Sequence, residues 1–295
     1  MYPLLYKGKV RDIYQVDDTK LLMVASDRIS AFDHVFKEAI PGKGKVLTAM
    51  TKFWSDALLK LFPTHLISTE SSDFGLEAQD IEEFDLPGRS MLVKKAAMID
   101  MECIVRGYMA GSAWKEYELN GTMHGINLPA GLTKGSKLPQ PLFTPSTKNH
   151  LGHDENIAPS TAKEMLGEKL FSSVEEICIS AYNLATELAL QKGIVIADTK
   201  FEIGIIDGKP LICDEILTPD SSRFWDLQDY EEGRIGISFD KQPIRDWAEQ
   251  SGWDKNSSPP PLPRNVIEES MARYIAAYER LSAKSFSEWL KQHCI

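Results

Sequence analysis

The chain has 295 residues, of which 43% are hydrophobic and 26% are charged, and its formal net charge is −10 at pH 7. This composition predicts a globular protein with a sizeable core and argues against a disordered chain. The acidic balance also disfavours a general nucleic-acid binder, because that function needs a basic surface.

The first residues do not show the pattern of a secretory signal, and no run of about 18 apolar residues is present. We therefore expect no membrane partner. Four cysteines lie far apart in the sequence, which fits free thiols in a reducing cytoplasm better than a metal or redox pair. The sequence leaves the oligomeric state open, as monomer or homo-oligomer.

The first third of the chain is rich in predicted strands. Residues 21–25 form an apolar run typical of a buried strand, and the runs at 91–93 and 103–105 are similar. A helix is predicted over 47–61, where apolar residues recur at helical spacing until Pro63.

Helices become more frequent later in the chain. Residues 120–160 predict a long ordered loop region, followed by a helix over 173–192 that begins with a possible capping box of Ser173 and Glu176. A strand at 194–197, a hairpin and a last helix from Arg264 follow. The hairpin strands are predicted at 201–206 and 211–216, and a proline-rich connector at 255–263. The fold class is therefore α+β (mixed α/β), with two lobes and a cleft between them.

A glycine flanked by basic residues near the start is a candidate phosphate-binding segment. Gly8 lets the backbone approach a ligand, and Lys9 and Arg11 share one face if the segment is a strand. The alternative is a solvated basic strand edge. The segment is not a Walker A loop, since that pattern occurs nowhere in the chain.

Two further segments place polar residues just after apolar strands. Residues 26–33 include Ser26 and Asp33, and the alternative there is a capped turn. Residues 102–114 place Arg106 and Ser112 among small residues, a combination that suits phosphate. The alternative for this segment is packing of a strand against a helix.

The hairpin carries two candidate metal ligands, Glu202 and Asp214. Carboxylates are the ligands that Mg²⁺ prefers, together with nucleotide phosphates. A three-residue turn would place both on one face, whereas a two-residue turn would place them on opposite faces, and the metal pair would then fail. The alternative is a solvated acidic face.

Two loops complete the candidate site. Residues 218–225 contain Arg223 and directly follow the candidate metal ligand Asp214. Residues 144–154 contain Lys148 and a His-x-x-His-Asp run that ends at Asp154. This run lacks further clustered His or Cys, so a structural zinc site is disfavoured.

Five segments together resemble the SAICAR synthase (phosphoribosylaminoimidazole-succinocarboxamide synthase) family, in its single-function form. The resemblance runs in order over nearly the whole chain. The segments are residues 8–14, 26–33, 102–112, 198–204 and 214–225.

The resemblance implies an enzyme that uses ATP to join carboxyaminoimidazole ribonucleotide to L-aspartate in purine biosynthesis, giving ADP and phosphate. The implied fold is related to ATP-grasp enzymes, with ATP between two lobes and Mg²⁺ as cofactor. We expect an N-terminal lobe over residues 1–110 and a C-terminal lobe over residues 111–295.

Matching this sequence to the family's motifs implies roles for individual residues. Lys9 and Arg11 would face the ATP phosphates, and Lys94 or Lys95 would contact the nucleotide. The backbone of a segment from Glu102 to Val105 would meet adenine. The implied magnesium ligands are Glu202 and Asp214.

The remaining implied roles concern the substrates. Arg106, Ser112 and Arg223 match the group that holds the ribonucleotide phosphate, with Ser26 and Asp33 also on the substrate side. The implied catalytic residues are Lys148, Asp154 and Arg223. Either Asp33 or Asp154 would accept the proton from the ammonium group of aspartate.

Two rival functions remain on sequence alone. A small-molecule phosphotransferase would use the same lysines and carboxylates, although the chain lacks the protein-kinase motifs. A non-catalytic nucleotide-binding protein would need the phosphate contacts but not the paired carboxylates. A requirement for an amine substrate separates the ligase from the phosphotransferase, whereas nucleotide binding without turnover under any substrate mixture would indicate the binding protein.

Overall fold

The structure is a computed structural model that describes residues 1–32, 34–58, 61–148, 155–234, 239 and 241–294. Its mixed α/β architecture confirms the predicted fold class. The strands are β1 (Leu4–Lys7), β2 (Arg11–Gln15), β3 (Lys20–Ala25), β4 (Arg28–Ala31), β5 (His34–Ala39), β6 (Leu66–Ser68), β7 (Ser90–Lys94), β8 (Ala97–Met98), β9 (Met101–Tyr108), β10 (Thr122–Met123), β11 (Ile126–Asn127), β12 (Lys137–Phe143), β13 (Ser146–Thr147), β14 (Ile194–Ile206), β15 (Lys209–Cys213) and β16 (Ser222–Asp226). The helices are α1 (Lys43–Leu58), α2 (Ala78–Glu83), α3 (Gly111–Asn120), α4 (Pro159–Leu166), α5 (Glu168–Leu190), α6 (Leu227–Glu231), α7 (Gln242–Gln250), α8 (Arg264–Ser282) and α9 (Phe286–His293).

The first sheet is antiparallel, with the order β1-β2-β3-β7-β6. Because side chains alternate along a strand, its two faces carry different apolar sets. Leu22 and Leu92 pack on one face, and Met23 and Val93 lie on the other. This second face looks onto the cleft described below.

The second sheet has the order β12-β9-β14-β15, and β14 also pairs with β8 and β16. Helix α5 packs against it, and the main core lies between them. Residues 97–108 already form strands of this second sheet. The division into lobes at residue 110 stays a prediction.

Some predicted element boundaries are wrong. Helix α1 begins at Lys43 rather than 47, and α5 begins at Glu168 rather than 173. Gly167 occupies the N-cap of α5, so Ser173 lies inside the helix and its hydroxyl donates to the Lys169 carbonyl at 3.1 Å. The expected capping box is therefore absent, because Ser173 bonds back to its own helix.

The predicted loop region over 120–160 contains short paired strands where the structure describes it. Strands β10 and β11 form a small hairpin, while β12 and β13 pair with β9. Helix α8 begins at Arg264 as predicted. Among the described helices, none is long and apolar enough to cross a membrane.

Candidate active site

A cleft of about 390 Å³ lies between the first sheet and the second. Ile13 and Met23 contribute apolar surface from the first sheet. Glu102, Lys200 and Asp214 contribute charged groups from the second sheet and its hairpin. Such a cleft suits a ligand with an apolar ring and an anionic tail.

The hairpin loop between β1 and β2 is held closed by the protein's own hydrogen bonds. Gly8 donates its N–H to the Arg11 carbonyl at 2.7 Å, and a Cβ on Gly8 would lie 2.9 Å from that oxygen. Arg28 donates to the carbonyls of Gly8 and Lys9 and pairs with Asp12 at 2.7 Å. Lys9 and Arg11 both line the cleft.

Two adjacent strands, β9 and β14, sort their side chains between the core and the cleft. Cys103 and Phe201 are cross-strand neighbours, and both side chains are fully buried in the core. The alternate positions therefore face the cleft. At one end of this face Arg106 pairs with Asp198, and continuing the same register places Glu202 opposite Glu102 at the other end.

Carboxylates gather at one corner of the cleft, which we call the acidic corner: Glu102, Glu202, Asp214 and Glu215. Lys200 Nζ lies 2.6 Å from a carboxylate oxygen of Glu102 and 3.5 Å from one of Glu202. Burial alone would lower the pKa of Lys200, but the charges of Glu202 and Glu102 outweigh it and raise that pKa. Lys148 also pairs with Glu202.

Arg11 joins the first sheet to the other half of the acidic corner. Its guanidinium pairs with Asp214 and lies 3.4 Å from a carboxylate oxygen of Glu215. The described residues include no group of three or more His, Cys, Asp and Glu side chains that holds a metal ion by itself. A cation at this corner therefore needs further oxygen ligands, such as phosphate or water.

The turn between β14 and β15 differs from the three-residue turn that would place Glu202 and Asp214 opposite each other. Ile206 pairs with Lys209, so the Asp–Gly turn has two residues, and Glu202 lies opposite Cys213. Asp207 and Gly208 both have positive φ, as the tight type I′ turn requires. The three-residue alternative is therefore wrong.

Asp214 reaches the acidic corner by a different route. It follows the end of β15, so the strand alternation no longer sets its direction, and its φ is +57°. His65 accepts the Asp214 N–H on its Nε2 at 2.8 Å. Burial, followed by the charge of Arg11, lowers the pKa of His65 to about 3, which keeps the ring neutral. Nothing in the sequence around His65 indicated this contact.

The opposite end of the same face forms a second cluster, which we call the arginine corner: Arg106, Ser112, Asp198 and Arg223. Asp198 is buried and accepts from Arg106 at 2.7 Å and also from Arg223. Arg106 also donates to Thr144 at 3.1 Å and to Ser112 at 3.3 Å. One carboxylate thus orients two guanidinium groups, and the four side chains of the arginine corner together carry one surplus positive charge.

The start of helix α3 lies against this corner. Gly111 is the first residue of α3 and has φ +57°. A Cβ there would lie 2.5 Å from the Arg223 guanidinium, so a glycine is required for Arg223 to lie across the helix start. Backbone N–H groups at a helix start add to the attraction for an anion.

A β-bulge in β14 sets the position of Asp198. The register against β16 shifts between Ile196 and Asp198. Tyr182 of α5 donates its hydroxyl to the Ile196 carbonyl at 2.5 Å, and a Cβ on Gly107 would lie 2.2 Å from that hydroxyl oxygen. Bulges next to binding sites commonly redirect a side chain. Tyr182 is thus a supporting residue that the sequence analysis did not identify.

Two of the predicted nucleotide contacts lie away from the cleft. Val105 is fully buried in the core, and its strand pairs with β12 on one side and β14 on the other. Its backbone is therefore engaged in the sheet, which argues against a contact with adenine. Lys94 is exposed at the end of β7, and alternation places it on the face of Leu92 rather than the cleft face.

The segment that begins at Ser26 supports the site from behind. Ser26 donates its hydroxyl to the Val10 carbonyl at 2.9 Å, and Asp27 accepts the N–H groups of Gly42 and Gly44 at the start of α1. These contacts match the capped-turn alternative. Asp33, Asp154 and the histidines of the His-x-x-His-Asp run lie outside the described residues.

The chain matches the sequence model of the SAICAR synthetase family over residues 4–260. It is 49% identical to a phosphoribosylaminoimidazole-succinocarboxamide synthase of Geobacter metallireducens, with 95% of each chain covered. A synthase of the same name from Saccharopolyspora erythraea is 45% identical, with 98% of this chain and 96% of the relative covered.

Solved structures give the same result. The SAICAR synthase of Saccharomyces cerevisiae, described as complexed with SAICAR, has a TM-score of 0.88 and 43% identity, with 96% of each chain covered. A SAICAR synthetase described as in complex with ADP has a TM-score of 0.70 and 26% identity, with 95% of this chain and 98% of that chain covered.

Proposed function

Because the chain belongs to the SAICAR synthetase family, it is an ATP-using ligase of purine biosynthesis, and we propose how its cleft divides the substrates. The reaction joins carboxyaminoimidazole ribonucleotide to L-aspartate and releases ADP and phosphate. The acidic corner takes the nucleotide phosphates, and the arginine corner takes the ribonucleotide phosphate. The single observation that carries this division is the charge of the two corners. The surplus of carboxylates at the acidic corner suits Mg²⁺, which would in turn bind nucleotide phosphates, whereas the paired guanidinium groups of the arginine corner suit a phosphate directly.

The nucleotide part of the cleft begins at the loop between β1 and β2, which contains Gly8. Lys9 and Arg11 meet the phosphates, and the apolar surface of Ile13 and Met23 supports the adenine ring. Glu102 lies at the edge of the same cleft, while a role for Lys94 stays a prediction without a contact that supports it. Positive charge near phosphate oxygens is what phosphoryl transfer requires.

Magnesium fits the chemistry of the acidic corner. We assign Glu202 and Asp214 as its protein ligands, because hard carboxylate oxygens suit the ion and each carboxylate pairs with a cationic side chain that a bound metal would replace. Bound Mg²⁺ would neutralise charge on the transferring phosphoryl group. This assignment is supported by the carboxylate oxygens that the acidic corner offers, and not by a cross-strand pairing of Glu202 with Asp214.

The arginine corner matches a phosphate monoester. Arg106 is buried and oriented by Asp198, whereas Arg223 is one-third exposed and able to reach a ligand. Ser112 and the first N–H groups of α3 add neutral donors. Planar guanidinium groups bind phosphate in a bidentate manner, which fixes its orientation.

The chemistry then proceeds between the two corners. In the first step the ribonucleotide carboxylate attacks the γ-phosphorus of ATP, and ADP leaves. In the second step the amine of L-aspartate attacks the activated carbonyl carbon, phosphate leaves, and the amine loses a proton. We assign Lys148, which pairs with Glu202, to stabilising charge on the transferring group. Several other roles remain predictions. These are the catalytic roles of Arg223 and Asp154, the substrate contacts of Ser26 and Asp33, and proton acceptance by Asp33 or Asp154.

We also propose that the enzyme acts in the cytoplasm, where its four free thiols stay reduced. The rival phosphotransferase is not favoured, because relatives along nearly the whole chain are ligases. No observation supports a binding protein without turnover over the ligase.

The test is ADP release by the purified protein with ATP, Mg²⁺ and carboxyaminoimidazole ribonucleotide, with and without L-aspartate. We expect the succinocarboxamide to form in step with ADP and only when all components are present. ADP release that ignores L-aspartate would contradict the proposed function.

A further inference from the structure

A fully buried lysine lies beside the cleft and has no part in the assignments above. Lys43 is 0% exposed, and its ammonium group lies 2.8 Å from a carboxylate oxygen of Asp220. It is also the first residue of helix α1, where a positive charge opposes the helix dipole. Burial lowers the pKa of Lys43, and the charge of Asp220 opposes that effect.

Such a group is costly for the folded state. Burying a charged pair removes water from both ions, and well-packed apolar residues commonly replace such pairs without loss of stability. Two unfavourable features at one position, burial and the helix start, are therefore typical of a residue retained for function.

Asp220 is anchored on both of its oxygens. One oxygen accepts from Lys43, and the other accepts the Tyr274 hydroxyl at 2.5 Å and lies 3.4 Å from Lys241 Nζ. Burial alone would raise the pKa of Asp220, but Lys241 and Lys43 hold it well below its usual value. A carboxylate so engaged acts as a fixed anchor and not as a proton acceptor.

Lys241 links this anchor to the cleft. Its side chain is 11% exposed and lines the same cavity as Arg11 and Lys200. Lys43 and Lys241 share Asp220, and the charge of Glu215, which pairs with Arg11, also acts on Lys43. The ammonium group of Lys241 thus supplies positive charge to this side of the cavity, which suits a carboxylate.

The location narrows the choice of ligand. Asp220 lies on the segment that joins Asp214 of the acidic corner to Arg223 of the arginine corner, and Lys241 contacts Asp220 and lines the same cavity as Asp214. The ligase reaction brings three anionic substrates together, and the two corners account for two of them. The third is a dicarboxylic amino acid.

We propose that Lys43, Asp220 and Tyr274 form a buried anchor that positions the Lys241 ammonium group to bind a carboxylate of the amine-bearing substrate. The inference rests on the proposed function. Lys241 is the contacting residue, whereas Lys43 is a positioning residue that acts through Asp220.

The experiment is steady-state kinetics with each substrate varied in turn. We expect Lys241→Met to raise KM for L-aspartate about tenfold or more, with KM for ATP and for the ribonucleotide changed less than about twofold. Lys43→Met should shift the same KM, because Asp220 then draws Lys241 towards itself. In the Lys241→Met background, Lys43→Met should add less than about twofold.

Lys45→Met is the matched control, since Lys45 lies on the same helix and pairs with Asp85. It should leave every KM unchanged. If Lys43→Met does not fold, judged by its thermal transition, Lys241→Met alone decides the result. An unchanged KM for L-aspartate in Lys241→Met, or a shift confined to ATP or the ribonucleotide, would overturn the proposal. Failure of the unmodified protein to use L-aspartate would instead refute the proposed function.

Discussion

The acidic corner and the arginine corner are built on the same two strands, yet they carry opposite surplus charge. Glu102 and Glu202 lie at one end of the cleft face of β9 and β14, and Arg106 and Asp198 lie at the other. The two ends are four positions apart along each strand, or about 13 Å. Strand alternation and register thus place the inner residues of two oppositely charged sites along one surface.

The corners differ in how their outer members are placed. Asp214 reaches the acidic corner through a positive φ and the contact with His65. Arg223 reaches the arginine corner because Gly111 leaves space and a bulge redirects Asp198. Each corner therefore needs a local device in addition to the strands, and substitutions can test each device separately.

The largest expected effect is loss of the metal ligand at the acidic corner. Asp214→Asn should lower turnover at least about 100-fold, because a charge is removed where the phosphoryl group is transferred. Folding should persist, since asparagine tolerates the positive φ at this position. ADP release measured across a range of MgCl₂ concentrations checks this.

The matched control is Asp207→Asn on the exposed hairpin turn, where φ is also positive. It should leave turnover unchanged. Normal turnover and normal magnesium dependence in Asp214→Asn would remove Asp214 from the metal site.

The next largest effect should arise at the arginine corner. Arg223→Gln should raise KM for the ribonucleotide roughly 10- to 100-fold, because a charged hydrogen bond to phosphate is lost. Arg106 would still satisfy Asp198. Initial rates with the ribonucleotide varied give this value, and Arg234→Gln, at an exposed position, serves as the control.

A smaller effect should follow from removing support behind the acidic corner. His65→Leu leaves the Asp214 N–H without its acceptor, so the Mg²⁺ concentration for half-maximal activity should rise about threefold to tenfold. His65→Gln offers another acceptor and should restore most of the response. Equal magnesium requirements in His65→Leu and the unmodified protein would exclude this role.

The smallest effect concerns stability near the arginine corner. Burial and then the charge of Arg106 lower the pKa of His124 in the folded state. The unfolded state therefore binds a proton more readily below pH of about 6.5, so stability is complete above that pH and falls as the pH decreases. His124→Gln should flatten the fall of Tm between about pH 7 and pH 5. An unchanged slope would contradict the assignment.

Local patterns in the sequence predicted much of the fold and of the site. The buried strand at 21–25, the helix from Arg264 and the hairpin at Asp207-Gly208 all follow from short-range periodicity or turn chemistry. Residue types also marked Lys9, Arg11 and the arginine corner as candidates. The structure places Lys9 and Arg11 in the cleft and pairs Arg106 and Arg223 with Asp198, while their roles stay predictions. The family resemblance placed these segments in one enzyme, and the comparisons confirm it.

The remaining features depend on contacts between distant parts of the chain. Lys43 and Asp220 are 177 residues apart, and His65 and Asp214 are 149 residues apart. No local pattern marks either pair. The adenine contact of Val105 stays a prediction. The sequence did not indicate that its strand pairs on both sides, because a central strand resembles an edge strand in sequence.

The measurement that tests the division of the cleft most directly is calorimetric titration of two variants with two ligands. Asp214→Asn and Arg223→Gln are each titrated with ADP in the presence of Mg²⁺ and with carboxyaminoimidazole ribonucleotide. We predict that Asp214→Asn weakens only the nucleotide and that Arg223→Gln weakens only the ribonucleotide, each leaving the other Kd within about twofold. Weakening of both ligands by both variants would contradict the separation of the two corners.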